Sequence, residues 1–132
     1  MSGSFCDTNV LLYLLSQDQA KAAIAERLLT TRLVISVQVL NEFAHVARRK
    51  SLRTWPEIVD MLDKLRALTD LRPLALETHL VGIGIVGRHQ FNLYDAMIVA
   101  AALEAGCDTL YSEDMQHGQM IEGRLRIANP FV

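Results

Sequence analysis

The stretch that most limits what this chain can fold into is Phe5-Cys6-Asp7-Thr8-Asn9, an apolar run that stops on an acid, a hydroxyl and an amide. After it, Val10-Leu11-Leu12-Tyr13-Leu14-Leu15 resumes an unbroken apolar text. Asp7 therefore stands where a buried strand hands over to a helix. That junction is where open α/β sheets place their chemistry, at the carboxyl ends of the strands. An acid there is either a helix cap or part of a site.

The rest of the chain repeats the same handover. Ser2 to Cys6 is expected as the first strand, with a helix from about Asn9 capped by Asp7 or Thr8. Gln17 to Thr30 sets Ala22, Ala23, Ile24, Leu28 and Leu29 among charged positions, as an amphipathic helix does. Leu33-Val34-Ile35-Ser36 does not alternate and reads as a strand buried on both faces. From Val37 to Lys50, Val39, Leu40, Phe43, Val46 and Ala47 share one helical face, with Glu42 on its shoulder and Asn41, His45 and Arg48 opposite. Thr54-Trp55-Pro56-Glu57 opens another helix, to about Leu68, with a cap, a first-turn proline and a capping-box acid. Leu71 to Leu74 is a short strand whose Pro73 suits a sheet edge. Thr78 to Arg88 is helical, but Gly82, Gly84 and Gly87 predict a close-packed or irregular helix. Asn92 to Ala105 is apolar on every side after its first turn, so it is enclosed, and Gly106 stops it. Thr109 to Ser112 and Leu125 to Ala128 are the remaining strands. The alternation predicts one α/β domain over residues 1–132, a mostly parallel, doubly wound sheet of four to five strands flanked by helices.

Length and composition restrict the function classes. A chain of 132 residues buries roughly two thirds of its unfolded surface around one core. Half of it is hydrophobic, yet no apolar run approaches the ~18 residues of a membrane span, and no basic leader opens the chain, so a cytoplasmic protein is expected. Cys6 and Cys107 sit in apolar company without metal-ligand spacing, which makes them small hydrophobes and argues against zinc. The formal charge of −2 looks wrong for a nucleic-acid binder. Setting aside four candidate site acids leaves +2 for the remainder, and a bound dication restores a neutral or basic surface.

Those acids are Asp7, Glu42, Asp95 and Asp114, and each has an ordinary role open to it. Asp7 can be a cap, Glu42 a solvated side chain, Asp95 the third helical residue of a box capped by Asn92, and Asp114 a turn residue beside a competing Glu113. Taken together they say more, because in a doubly wound sheet these positions share one rim. Two carboxylates about 4 Å apart repel by roughly 4 kcal/mol at an effective dielectric near 20, which a fold does not keep for stability. Hard oxygen donors in this number suit Mg²⁺ or Mn²⁺. Thr8, Asn9 and Ser112 are placed to orient the acids, with capping and turn roles as the alternative. Arg48, Arg49, Lys50 and Arg53 could attract a polyanion, or merely complement a helix end.

These residues resemble a known family. Phe5-Cys6-Asp7-Thr8-Asn9, Asn41-Glu42, Asn92-Leu93-Tyr94-Asp95-Ala96 before Ile98-Val99-Ala100-Ala101-Ala102, and Leu110-Tyr111-Ser112-Glu113-Asp114 are similar, in this order and spacing, to the PIN-domain ribonucleases. Within that family the chain resembles the stand-alone VapC-type toxins of toxin–antitoxin pairs. Ser112 stands where the family usually has Thr, and Met115-Gln116-His117 where it commonly has a further acid. The resemblance implies hydrolysis of RNA phosphodiesters with Asp7, Glu42, Asp95 and Asp114 holding one or two Mg²⁺ or Mn²⁺. It also implies a homodimer and a cognate antitoxin lying over the acidic cleft. Such a reaction does not need the ribose 2′-hydroxyl, so 3′-hydroxyl and 5′-phosphate ends are expected. Two rivals stand beside it. One is a catalytically silent PIN-like module that only binds its partner. The other is a phosphatase of the haloacid-dehalogenase kind, disfavoured because Asn9 occupies the place of its second Asp.

Overall fold

A computed structural model of the protein describes residues 3–132. The first handover is as the sequence requires: β1 (Ser4–Cys6) ends at Asp7, whose carboxylate accepts from the Thr8 backbone N–H and caps α1 (Thr8–Leu11). The continuous helix expected from Asn9 divides, since Leu12–Leu15 tightens into a 3-10 turn before α2 (Gln19–Leu29) restarts under an Asp18 cap. The Ser2 end of the first predicted strand lies outside the described residues.

β2 (Val34–Ser36), α3 (Val37–Lys50), α4 (Trp55–Leu68), β3 (Asp70–Arg72), α5 (Leu76–Arg88), α6 (Leu93–Glu104) and β4 (Thr109–Tyr111) follow. Thr54 and Glu57 exchange both bonds of the capping box that opens α4. β3 stops before Pro73, which has no N–H to donate, and lies at the sheet edge. The chain closes with β5 (Met120–Ile121) and β6 (Leu125–Ala128).

The sheet has six strands among the described residues rather than four or five, in the order β3-β2-β1-β4-β6-β5. All pairs are parallel except β5 with β6. The additional strand is β5, whose two residues are too few to show a period in sequence. It turns into β6 through Glu122 and Gly123, both with positive φ. Phe5 pairs with Val34 on one side and Leu110 on the other, so Asp7, Ser36 and Ser112 lie level just beyond three neighbouring strands. Strand order reverses between β1 and β4, which makes this the topological switch point where doubly wound sheets open a crevice.

Packing holds that rim in place. Phe5, Leu11, Ile35, Phe43, Ile98 and Leu110 are fully buried, and Ala96 and Ile98 to Leu103 of α6 are all in the core. Such complete enclosure is what an all-round apolar helix needs. The glycines leave α5 continuous, and at Gly82 the helix packs closely on α6. A Cβ there would meet the Met97 thioether of α6 at 2.7 Å. Cys6 and Cys107 are free, buried thiols.

Candidate active site

Asp7 is the innermost of the four acids, only 6% exposed. Its Oδ1 accepts from the Thr8 N–H at 2.7 Å; its Oδ2 accepts from Ser112 Oγ at 2.9 Å and Asn9 Nδ2 at 3.2 Å. Burial pushes its pKa up to about 7, against the lowering effect of the Ser112 and Thr8 bonds, and the charges of Asp95 and Glu42 push the same way. The carboxylate thus resides where its charge is least welcome.

The other acids come from separate elements. Glu42, on the shoulder of α3 and half-buried, accepts from Thr8 Oγ1 at 2.8 Å, which joins β1's exit to α3. Asp95 forms the box expected of it: Asn92 Oδ1 accepts from the Asp95 N–H at 2.8 Å, and Asn92 Nδ2 donates to Asp95 Oδ2 at 3.1 Å. Capping does not exhaust Asp95, whose pKa is raised by burial and by Asp114, with the Asn92 bond opposing. Asp114 is exposed past the end of β4. The four are therefore linked by repulsion, Glu42 and Asp95 with Asp7, and Asp114 with Asp95.

The neighbouring polar groups fasten this rim together. Asn9 donates to Asp7 and to Ser112 Oγ (3.4 Å) and accepts from the Glu113 N–H (3.1 Å), bridging the exits of β1 and β4. Ser112 is completely buried and also accepts from the Met115 N–H at 3.3 Å. Glu113 does not compete with Asp114, because its carboxylate is taken up by Tyr13 Oη at 2.6 Å and Lys21 Nζ at 2.9 Å, which hold its pKa below the usual range. Lys21 is more than ninety positions away, so no local sequence signal reveals the pair. Gln38, one turn before Glu42 on the same face of α3, donates to the Tyr94 carbonyl at 3.1 Å and anchors the start of α6 beside Asp95. A buried amide at i−4 from a candidate ligand was the signal available for it.

The donor set matches a hard divalent cation. It consists of carboxylate oxygens, and the fully buried Ser36 hydroxyl beside Asp7 has no partner among the described residues. Among those residues no three His, Cys, Asp or Glu side chains approach closely enough to close a coordination shell. Closing it without a cation would cost roughly 4 kcal/mol for each carboxylate pair brought to 4 Å at an effective dielectric near 20.

Two clefts flank this region, and of the four acids only Asp95 and Asp114 line one of them. One, of about 600 Å³, runs from Asn9 and Glu113 past Leu12 and Leu52 to Lys50 and Arg53. The other, of about 470 Å³, holds Asp95 and Asp114 among amide side chains. Arg48, Arg49 and Lys50 are exposed at the end of α3, where positive charge also complements the helix terminus. The Arg48 guanidinium lies over the Trp55 ring at 5.1 Å.

The sequence signature of the PIN domain matches residues 4–120. Three solved structures share the fold, each 18% identical to this chain. A toxin–antitoxin complex from Klebsiella pneumoniae superposes with a TM-score of 0.73 over 98% of both chains. DNA-bound VapBC from Salmonella typhimurium gives 0.72 over 98% of this chain and 99% of that one. Mycobacterium tuberculosis VapC20, described as a sarcin-ricin loop cleaving toxin, gives 0.68 over 85% and 90%. No curated protein sequence matches the chain.

Proposed function

The chain belongs to the PIN domain family, and from that premise we propose that it is a metal-dependent endoribonuclease, the toxin of a toxin–antitoxin pair, built as one domain over its 132 residues. The observation that carries the reading is Asp7, a carboxylate only 6% exposed at the switch point, with both oxygens held by Thr8, Asn9 and Ser112, whose pKa burial and two further acids push up. A cation relieves that arrangement, and stability alone does not maintain it. The described functions of the structural relatives, a sarcin-ricin loop cleaving toxin and toxin–antitoxin complexes, point the same way.

In this reading Asp7, Glu42, Asp95 and Asp114 hold Mg²⁺ or Mn²⁺. When bound, the ion supplies Lewis acidity that activates water and offsets charge on the phosphate. The chain's own part is to position. Ser112, Asn9 and the Thr8 N–H fix both oxygens of Asp7, and Thr8 Oγ1 fixes Glu42. Arg48, Arg49 and Lys50 attract the RNA backbone toward the cleft that reaches Asn9.

A cognate antitoxin partner is supported by the complexes among the structural relatives. A homodimer is supported by α5, whose outward face carries Leu76, Leu80 and Ile83 at 73%, 58% and 48% exposure, opposite buried Thr78, Gly82 and Ile85. A helix apolar on both faces calls for a cover. Among the described residues no helix is long and apolar enough to cross a membrane. In this reading the protein acts in the cytoplasm, where its RNA substrate is.

The test is cleavage of structured RNA by purified protein with Mg²⁺ or Mn²⁺, with Asp7→Asn as control. The proposal predicts 3′-hydroxyl and 5′-phosphate ends, and none from the variant. A 2′,3′-cyclic phosphate would refute the chemistry. Cleavage that survives Asp7→Asn would mark a contaminant, and partner binding without any cleavage would favour the silent module.

A further inference from the structure

The cleft beside Asp95 and Asp114 has a lining unlike that of a phosphate site. Asn92, Gln90, Gln116 and Gln119 supply amides, His89 and Phe91 supply rings, and no Lys or Arg faces it. Arg88, next to His89 in the chain, is paired with Glu122 at 2.7 Å, and the same carboxylate takes His89 Nε2 at 3.2 Å. Side-chain hydrogen bonds around the cleft belong to His89, Asn92 and His117. The amides of Gln90, Gln116 and Gln119 make none with a described residue. Each presents a donor and an acceptor side by side, the pattern that matches the edge of a nucleobase.

The backbone of the 116–119 loop is nevertheless held. The Gln119 carbonyl accepts from the Ile127 N–H at 2.8 Å, the Gly118 N–H donates to the Ile127 carbonyl at 2.8 Å, and the Gln119 N–H donates to the Gln116 carbonyl at 3.2 Å. His117 Nδ1 accepts from the Asn129 N–H at 2.9 Å, which fastens the loop again. Gly118 has a φ of +87°, a conformation that suits glycine and sets the turn. The rings of His89 and Phe91, which flank Gln90 in the chain, lie 6.3 Å apart, tilted by 50°. A volume of about 470 Å³ is in the range of small-ligand sites. Free amides, most of them on a backbone-held loop, and two aromatic rings are the groups that recognise an unstacked base by hydrogen bonds and stacking.

We propose that this cleft is a nucleobase subsite, taking the unpaired base next to the scissile phosphate, with Gln90, Gln116 and Gln119 selecting which base enters. The proposal rests on the ribonuclease reading above, and its test has an arm that does not. In the first arm, hairpin RNAs with randomised loops are cut by wild type, Gln116→Ala and Gln119→Ala, and the ends are sequenced. One position relative to the cut should show a base preference that falls about tenfold in at least one variant, in keeping with what a bidentate base contact contributes. An unchanged preference, or equal slowing of every loop, overturns the subsite. In the second arm, adenosine, guanosine, cytidine and uridine are titrated into the wild-type protein without metal, followed by NMR of side-chain amide protons. Shifts confined to Gln90, Gln116 and Gln119 with at least one nucleoside support the subsite even if no loop is cut, an outcome that removes only the ribonuclease reading. No shift with any of the four overturns it.

Discussion

Replacing Asp7 by asparagine should stabilise the metal-free protein above neutral pH and destabilise it in acid. An aspartate with a pKa of about 7 when folded and 3.8 when unfolded binds its proton more tightly in the native state. Native stability therefore falls as pH rises from 3.8 to about 7 and is constant above. The loss is roughly 4 kcal/mol, about three pH units at about 1.4 kcal/mol each. The substituted amide never carries that charge. It still accepts from the Thr8 N–H, but its new NH2 faces the Ser112 hydroxyl and Asn9 Nδ2, both donors to Asp7, so that side of the network loses about one bond, at a cost of about 1 kcal/mol, while Asn9 keeps its 3.4 Å bond to Ser112 Oγ. The net gain at pH 8 is then about 3 kcal/mol, or a rise in Tm of roughly 10 °C for a domain of this size. At pH 3, below the unfolded value of 3.8, only the lost bond remains, and the variant should melt a few degrees below wild type. Calorimetry in EDTA at both pH values reads the crossing directly. Saturating Mn²⁺ should reverse the order at pH 8, because only the wild type is protected by binding. If the variant melts lower at both pH values in EDTA, Asp7 is a helix cap and the electrostatic reasoning fails.

Asp95→Asn should shift Tm in the same direction at pH 8 but by less, since Asp95 is only half-buried and its cap survives the change; its RNA cleavage should be undetectable. Ser112→Ala removes a donor that lowers Asp7's pKa, so the Asp7 carboxyl followed by ¹³C NMR should titrate at still higher pH, with Ser112→Thr restoring it. Lys50→Ala should weaken RNA binding without moving Tm and reduce the salt slope by about 0.7, one phosphate contact on a single strand. Gly82→Ala should change stability by less than about 1 kcal/mol in chemical denaturation, because the helix-propensity gain of about 1 kcal/mol offsets the shift of the flexible Met97 thioether that the added methyl requires.

Local signals made much of the fold legible. The Thr54/Glu57 box, the enclosed apolar text of α6 and its Gly106 stop, and the non-alternating Val34-Ile35 strand each state their structure within a few residues. What sequence missed was short or remote. β5 has two residues, fewer than a period needs. The break of the first helix into a 3-10 turn occurs inside a uniform apolar run, where packing decides. At the site, the chain's text places acids at strand ends, and parallel register then brings Asp7 and Ser112 level. It does not say which of Glu113 and Asp114 is free, because that is settled by Tyr13 and Lys21 from the other end of the chain. Nor does it disclose Ser36, whose hydroxyl is level with Asp7 only through the pairing of β1 with β2.

Manganese located by anomalous scattering in crystals of the wild-type protein tests the claim that four separated carboxylates share an ion. The account predicts a peak within bonding or water-bridged reach of Asp7, Asp95, Asp114 and Glu42, lost in Asp7→Asn. Manganese bound elsewhere, or equally in the variant, would contradict it.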